Sequence, residues 1–276
     1  MLAALPVLIL AAAGCSLITA RPASGPAWTR PEVVRTLRSR YEKIRTIKAG
    51  DVSLESSSES GSFFSVTPTL GGVLALDPHL PGLWLRTEKL GQQIFTLGLR
   101  KQSFWMTIPD TREIVTGSGR AFRKFPYTLR PAELAALVGS PRQLGLDRES
   151  TLMAVEPEHY RFDVWSDSTL AREVYVDRAD VTVRRVVYYG RDKRRVAELT
   201  LGDYRTVNGI PLPHHLSLVR PGSGVRTEIW LSAPEVNAVS PRQMSVFFSP
   251  PQKPGWRHID LNRQSLRDIK ALQNQQ

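Results

Sequence analysis

The hydrophobic positions of this chain keep two rhythms. Val33 or Val34, Leu37, Tyr41, Ile44 and Ile47 recur at steps of three and four, with Arg35, Arg38, Arg40, Lys43 and Arg45 between them. That spacing predicts an amphipathic helix of about five turns with one apolar stripe. Thr29 can cap it, Pro31 fits its first turn, and Glu32 suits its positive end. After residue 49 the rhythm shortens to alternation. Strands are expected at 50–56, 62–67, 72–76, 83–88, 93–99, 103–108 and 112–116, with Gly, Pro, Asp and Ser clusters between them. Leu83 and Leu85 alternate with Trp84 and Arg86, whereas Phe104 and Met106 alternate with Trp105 and Thr107, so this second strand is apolar on both faces. Such a sheet must be covered on both faces or carry a ligand surface.

A helical insert follows over residues 125–139. Thr128 can cap it, Pro131 sits early, Leu134, Leu137 and Val138 form its stripe, and Gly139 ends it. Strands return at 152–155, 159–165, 171–176, 181–189, 196–207, 210–219 and 225–232. Asn208-Gly209 supplies the two positive-φ residues of a type I′ hairpin, and Pro211 and Pro213 suggest an edge or an interrupted strand beyond it. Few apolar residues follow Pro250, where a weak helix over 260–273 is the alternative to no order at all. Helix, meander, helical insert, meander predicts an α+β chain. The two greasy faces are best hidden by an open, strongly curved antiparallel sheet, a half-barrel, with the N-terminal helix and a helical lid on its concave side.

The N-terminus changes the picture. An apolar run ends in Leu10-Ala11-Ala12-Ala13-Gly14-Cys15-Ser16, which holds the only cysteine of 276 residues. The run is too short to span a bilayer, which takes roughly 20 residues, and is the length of a signal h-region. Small residues directly before a cysteine look like a bacterial lipoprotein signal, in which cleavage precedes the cysteine and acylation follows. An ordinary secretory signal cut near Ala13 is the alternative. The expected organisation is a signal peptide over 1–14, a flexible Pro/Ala/Gly/Ser tether over 15–30, one domain over 31–251 and a polar tail over 252–276.

Composition narrows the function classes. Hydrophobic content of 41% and charged content of 23% fit a globular domain. A net charge of +11, spread along the chain, reads first as a solvated basic surface; as a binding surface in an exported chain it would suit lipid headgroups or acidic polymers better than nucleic acid. With one cysteine there is no intrachain disulfide and no cysteine metal cluster. Adjacent His214 and His215 point to opposite faces of a strand and cannot share an ion. Glu156-Pro157-Glu158-His159 has no second cluster at metal spacing, and Gly117-Ser118-Gly119 lacks the flanks of a nucleophile elbow. Neither a catalytic constellation nor a cofactor is expected.

Four ordered segments resemble the lipoprotein-carrier fold shared by LolA, LolB and RseB-type proteins. They are the helix ending in Tyr41-Glu42-Lys43-Ile44-Arg45-Thr46-Ile47; the strand, Pro-containing turn and strand from Leu74 to Arg86; Ser103-Phe104-Trp105-Met106-Thr107-Ile108-Pro109 with Val115-Thr116-Gly117; and Leu201 to Pro213, followed by Val236-Asn237 and Phe247-Phe248-Ser249-Pro250-Pro251. The resemblance implies a binding protein that shelters the acyl chains of lipids or lipoproteins and needs no covalent chemistry. With Cys15 lipidated, it implies the membrane-anchored, LolB-like member, facing the periplasm from the outer membrane, with a periplasmic carrier as a partner. It places Trp84, Phe95, Phe104, Leu134 and Leu137 at the cavity or lid, and Leu80 in a loop that meets the membrane. The RseB-like alternative is an envelope-stress sensor or scaffold that binds a protein partner.

Overall fold

The computed structural model describes residues 27–58, 66–79, 82–118, 121, 133 and 136–263. Cys15, Leu80, Leu134, most of the tether and residues 264–276 lie outside the described residues.

The N-terminal helix α1 spans Arg30–Tyr41. Its entry follows the sequence: the Thr29 N–H and hydroxyl both donate to Glu32 Oε2, at 2.7 and 2.8 Å. Its exit does not, because the helix stops after three turns although the apolar spacing runs on to Ile47. Asn237 explains the stop. Its Oδ1 accepts the Arg45 N–H at 2.7 Å and its Nδ2 donates to the Lys43 carbonyl at 2.9 Å. Backbone groups that would have continued the helix are thereby tied to another segment.

The first meander is β1 (Ile47–Ser58), β2 (Val66–Asp77), β3 (Gly82–Lys89), β4 (Gln92–Arg100), β5 (Ser103–Ile108) and β6 (Glu113–Ser118). The short helix α2 (Pro141–Leu144) leads to β7 (Leu152–Val155), β8 (His159–Ser166), β9 (Thr169–Asp177), β10 (Val183–Tyr189), β11 (Arg195–Val207), β12 (Ile210–Arg220) and β13 (Val225–Ser232). Then come β14 (Glu235–Val236), α3 (Pro241–Phe247) and β15 (Arg257–Asp260). The two strands expected at 62–67 and 72–76 are one strand as far as they are described. Gly71-Gly72, which resembles a turn in sequence, is the place where β2 crowds β3: a Cβ on Gly72 would stand 2.2 Å from the Arg86 carbonyl oxygen.

The fifteen strands of the described residues join one sheet, in the order β15-β6-β5-β4-β3-β2-β1-β13-β12-β11-β10-β9-β8-β7, with β14 paired on β1. Every pairing is antiparallel except β15 on β6. The sheet does not close, since β15 and β7 are its free edges. It does curl. From β2 to β9 is six strand steps, about 29 Å on a flat sheet. Yet Gln143 of α2 alone bridges that span, donating through its side chain to the Pro78 carbonyl after β2 at 2.7 Å and accepting Arg172 of β9 on its own carbonyl at 3.1 Å. Val33, Val34 and Leu37 of α1 share one core with inward residues from strands on both sides of the sheet.

The other face is covered at β3–β5 by α3 and the chain after it. Phe247 stacks on Trp84 with centroids 4.5 Å apart, and Val239, Met244 and Phe248 form a second apolar cluster there. The expected domain end at Pro251 is corrected. Arg257–Asp260 pairs with Glu113–Thr116 in register, and Ile259 and Leu261 are buried in the main core. Two apolar side chains in a polar stretch leave almost no hydropathy signal, and the expected helix at 260 gives way to this strand as far as Asp260.

Candidate functional site

The inner face is the candidate ligand surface. Its strands present Leu, Ile and Val at alternate positions, as period-2 sequences on a half-buried sheet must. Of the residues singled out in the sequence, Phe95, Phe104 and Leu137 all belong to this one core, Phe104 and Leu137 buried and Phe95 half-buried. Trp84 stands apart: it points to the opposite face, under Phe247. Leu83 and Leu85, its strand neighbours, face inward. Where α1 meets Leu137, Val138 and Tyr204, the remaining void is about 20 Å³, room for one water.

A buried ion pair ties the insert to the sheet. Glu133 lies on the helical insert, and its carboxylate accepts Arg220 Nη2 of β12 at 2.8 Å, with 2% and 4% of the two side chains exposed. Tyr188 of β10 lies close by, and burial pushes its phenol well above the usual range, with the Glu133 carboxylate adding to the shift. Arg172 pairs directly across from Tyr188, lies over its ring at 5.8 Å, and has its guanidinium held below the usual value by burial. The hydropathy pattern gave no sign of this polar group, because isolated charges in apolar strands read as outward-facing positions.

Described residues line two grooves on the outside. One of about 980 Å³ lies between the end of α1, the β2–β3 turn and α3, with Asp77, His79, Thr46, Val239, Met244 and Phe248 on its walls. His79, on its wall, is pinned by Nε2 to the Ile44 carbonyl at 2.8 Å. The other, of about 560 Å³, lies against β3–β5 and includes Trp84, Trp105 and Phe247. Beyond it, the β3–β4 hairpin ends in Leu90, which is 99% exposed and sits at φ 51°. The sequence reading missed Leu90. A lone leucine beside Gly91 in a polar turn carries no periodic signal.

The adjacent histidines do part as expected. His214 is buried, and neither ring nitrogen has a partner in hydrogen-bonding geometry among the described residues. His215 lies on the outer face, with Nε2 2.7 Å from Glu228 and its ring stacked on Trp230 at 5.2 Å. Ser217 donates to the same Glu228 at 2.7 Å, so its proton is held by the carboxylate and not offered to the imidazole. That is not the order a nucleophile and its base require. No group of three His, Cys, Asp or Glu side chains that could hold a metal ion occurs among the described residues, and none of their helices is long and apolar enough to cross a membrane.

Comparison with known proteins gives the fold. No family model matches the sequence, and no curated protein matches it. Among solved structures, a DUF1329 family protein from Desulfovibrio piger superposes with a TM-score of 0.58 over 80% of this chain and 95% of its own, at 12% identity. An outer membrane lipoprotein-sorting protein domain from Vibrio parahaemolyticus gives 0.54 over 79% and 97%, also at 12% identity. A LolA superfamily protein from Nitrosomonas europaea gives 0.49 over 76% and 96%, at 8% identity. The first two share this open, curled sheet. At such identities the likeness is one of fold.

Proposed function

We propose that this chain is a lipid-binding protein of the bacterial envelope. Held to a membrane through acylated Cys15, it takes up acyl chains of lipids or lipoproteins against the inner face of its sheet. The observation that supports this most directly is an open sheet whose inner face is largely apolar, in a fold shared with a lipoprotein-sorting protein domain. Binding of this kind needs shape and apolar area, and no bond is made or broken. Burying an acyl chain is worth about 0.8 kcal/mol per methylene, so entry requires the cover to move. The insert bearing Glu133, Leu134 and Leu137 is the part we assign to that movement. The protruding role that the resemblance places at Leu80 we assign to Leu90, the leucine that stands free of its own domain.

The test is a displacement titration. Delipidated protein is loaded with a fluorescent fatty acid and challenged with unlabelled fatty acids of increasing length. Affinity should rise with each added methylene until the inner face is filled. Affinity that does not depend on chain length would refute the reading. Metabolic labelling with palmitate, lost in Cys15→Ser, tests the anchor.

A further inference from the structure

Beside the Leu90 hairpin lies the outer groove of about 560 Å³, and its chemistry differs from that of the inner face. Its floor is aromatic, with Trp84 stacked under Phe247 and Trp105 next to them. Its wall includes Val246, which is 67% exposed although apolar. Its two charged lining residues are Arg86 and Lys253, both cations. Arg86 has an exposed partner, Glu88, at 3.3 Å, and Lys253 lies 4.2 Å over the Trp256 ring. Lys89 is exposed at the hairpin tip, next to Leu90. Two cations therefore line the aromatic groove, and a third stands at the hairpin tip with the exposed leucine.

We infer that this groove receives the phosphate headgroup of an anionic phospholipid while Leu90 enters the bilayer surface beside it. The inference rests on the reading of Leu90 as a membrane contact and adds the lipid class. Four features carry it. An exposed leucine at a hairpin tip offers an apolar group to the acyl boundary. Arg86 is four residues back along β3, about 13 Å of strand. A hairpin tilted onto the surface therefore brings both residues into the polar layer. Beside the groove the half-exposed Trp256 carries Lys253 over its ring, the pairing of indole and cation that suits a membrane interface. The Arg86–Glu88 pair is exposed and therefore weak, so its guanidinium can turn to a phosphate. Trp84 is covered by Phe247 and Trp105 is buried, so no open ring face remains on which a sugar could stack.

The experiment uses the full chain carrying Cys15→Ser, so that no acyl anchor contributes, and measures partition onto vesicles of phosphatidylglycerol and of phosphatidylcholine. The parent should prefer phosphatidylglycerol. Removing Arg86 and Lys253 (R86Q/K253Q) should lower that affinity about 25-fold, at roughly fivefold per cation near the surface, and leave phosphatidylcholine binding unchanged. Equal charge removed at the distant exposed turn (R191Q/K193Q) should change it by less than about twofold. Leu90→Glu should weaken binding to both lipids. An unchanged preference in R86Q/K253Q, or an equal loss in R191Q/K193Q, overturns the inference and leaves Leu90 as the contact. Inorganic phosphate that displaces the protein at concentrations too low to screen charge also overturns it, since the site would then serve a free anion. If Leu90→Glu changes nothing on either lipid, the membrane contact itself is wrong.

Discussion

The indole of Trp105 lies flat across Gly98 on the neighbouring strand, so close that a Cβ there would stand 2.3 Å from Cε2. On the opposite face Phe104 does the same to Gly117, at 2.6 Å. Alternation along β5 thus sends successive aromatic rings to the two faces, and each finds a glycine where a side chain would have blocked it. The outward ring lies beneath the chain that follows α3, and the inward ring joins the main core.

Gly98→Ala should therefore cost about 1–3 kcal/mol, the usual penalty for overpacking a filled site. Urea denaturation of both proteins measures it. The cost should nearly vanish in a Trp105→Leu background, because the clash is with the ring and not with the strand. An equal cost in both backgrounds would place the strain in the backbone.

Glu133, in the insert, and Arg220 of β12 are a buried pair. Removing one partner of such a pair strands the other charge and typically costs 3–5 kcal/mol, whereas replacing both with apolar groups is often close to neutral. Glu133→Leu and Arg220→Met should each destabilise strongly. The double variant should be more stable than the sum of the two, with a coupling of about 0.5–3 kcal/mol. The double variant should also exchange fatty acids faster than the parent, since this ion pair between the insert and the sheet would be gone. Unaltered exchange would separate this pair from the movement assigned to the insert.

His214 gives the fold a pH dependence of known sign. Burial lowers its pKa below the ordinary 6.5, and the cation of Arg205 adds to the effect, against Asp203, which opposes it. The folded protein thus binds fewer protons than the unfolded chain between the lowered value and 6.5. Stability should be full above about pH 6.5 and fall as the pH drops through that window, by at most about 1.4 kcal/mol per unit. Urea midpoints at pH 7.5 and 5.5 should differ in the parent, and the difference should shrink in His214→Phe, which keeps an aromatic ring between Leu212 and Leu216. An identical pH response in the variant would assign it to other groups.

Strands were the most legible part of the sequence, because each half-buried strand writes its own alternation. The inner face could be read from Leu83 and Leu85, and from Ile210 through Leu218. Elements without a pattern of their own stayed hidden. β15 holds one buried isoleucine, α2 has four residues, and α3 is announced only by Ser240-Pro241 and Gln243. Of the residues singled out for the candidate site, Phe95, Phe104 and Leu137 share one apolar core. The register that puts Trp84 outside was visible in the same alternation but was outweighed by the size of the ring. Glu133, Arg220 and Leu90 depend on contacts, or on the lack of them, between segments far apart in sequence.

The end of α1 shows the same limit and can be tested. Tyr41, Ile44 and Ile47 are spaced for a helix, yet Ile47 opens β1 opposite Val236. The choice is made by Asn237, 190 residues away in sequence, which holds the left-handed conformation at φ 62° and bonds Lys43, Arg45 and Thr46 through its side chain and backbone. Asn237→Ala loses the side-chain bonds and disfavours the positive φ, and should cost about 1–3 kcal/mol. Asn237→Gly keeps the conformation and loses the bonds alone, so it should cost less. Hydrogen exchange at Arg45 and Thr46 should rise in both variants, and most in Ala. If the glycine variant proves as unstable as the alanine one, the side-chain bonds set the junction. If it matches the parent, backbone conformation alone does so, and helix propensity at Tyr41–Ile47 has been overridden by a single turn.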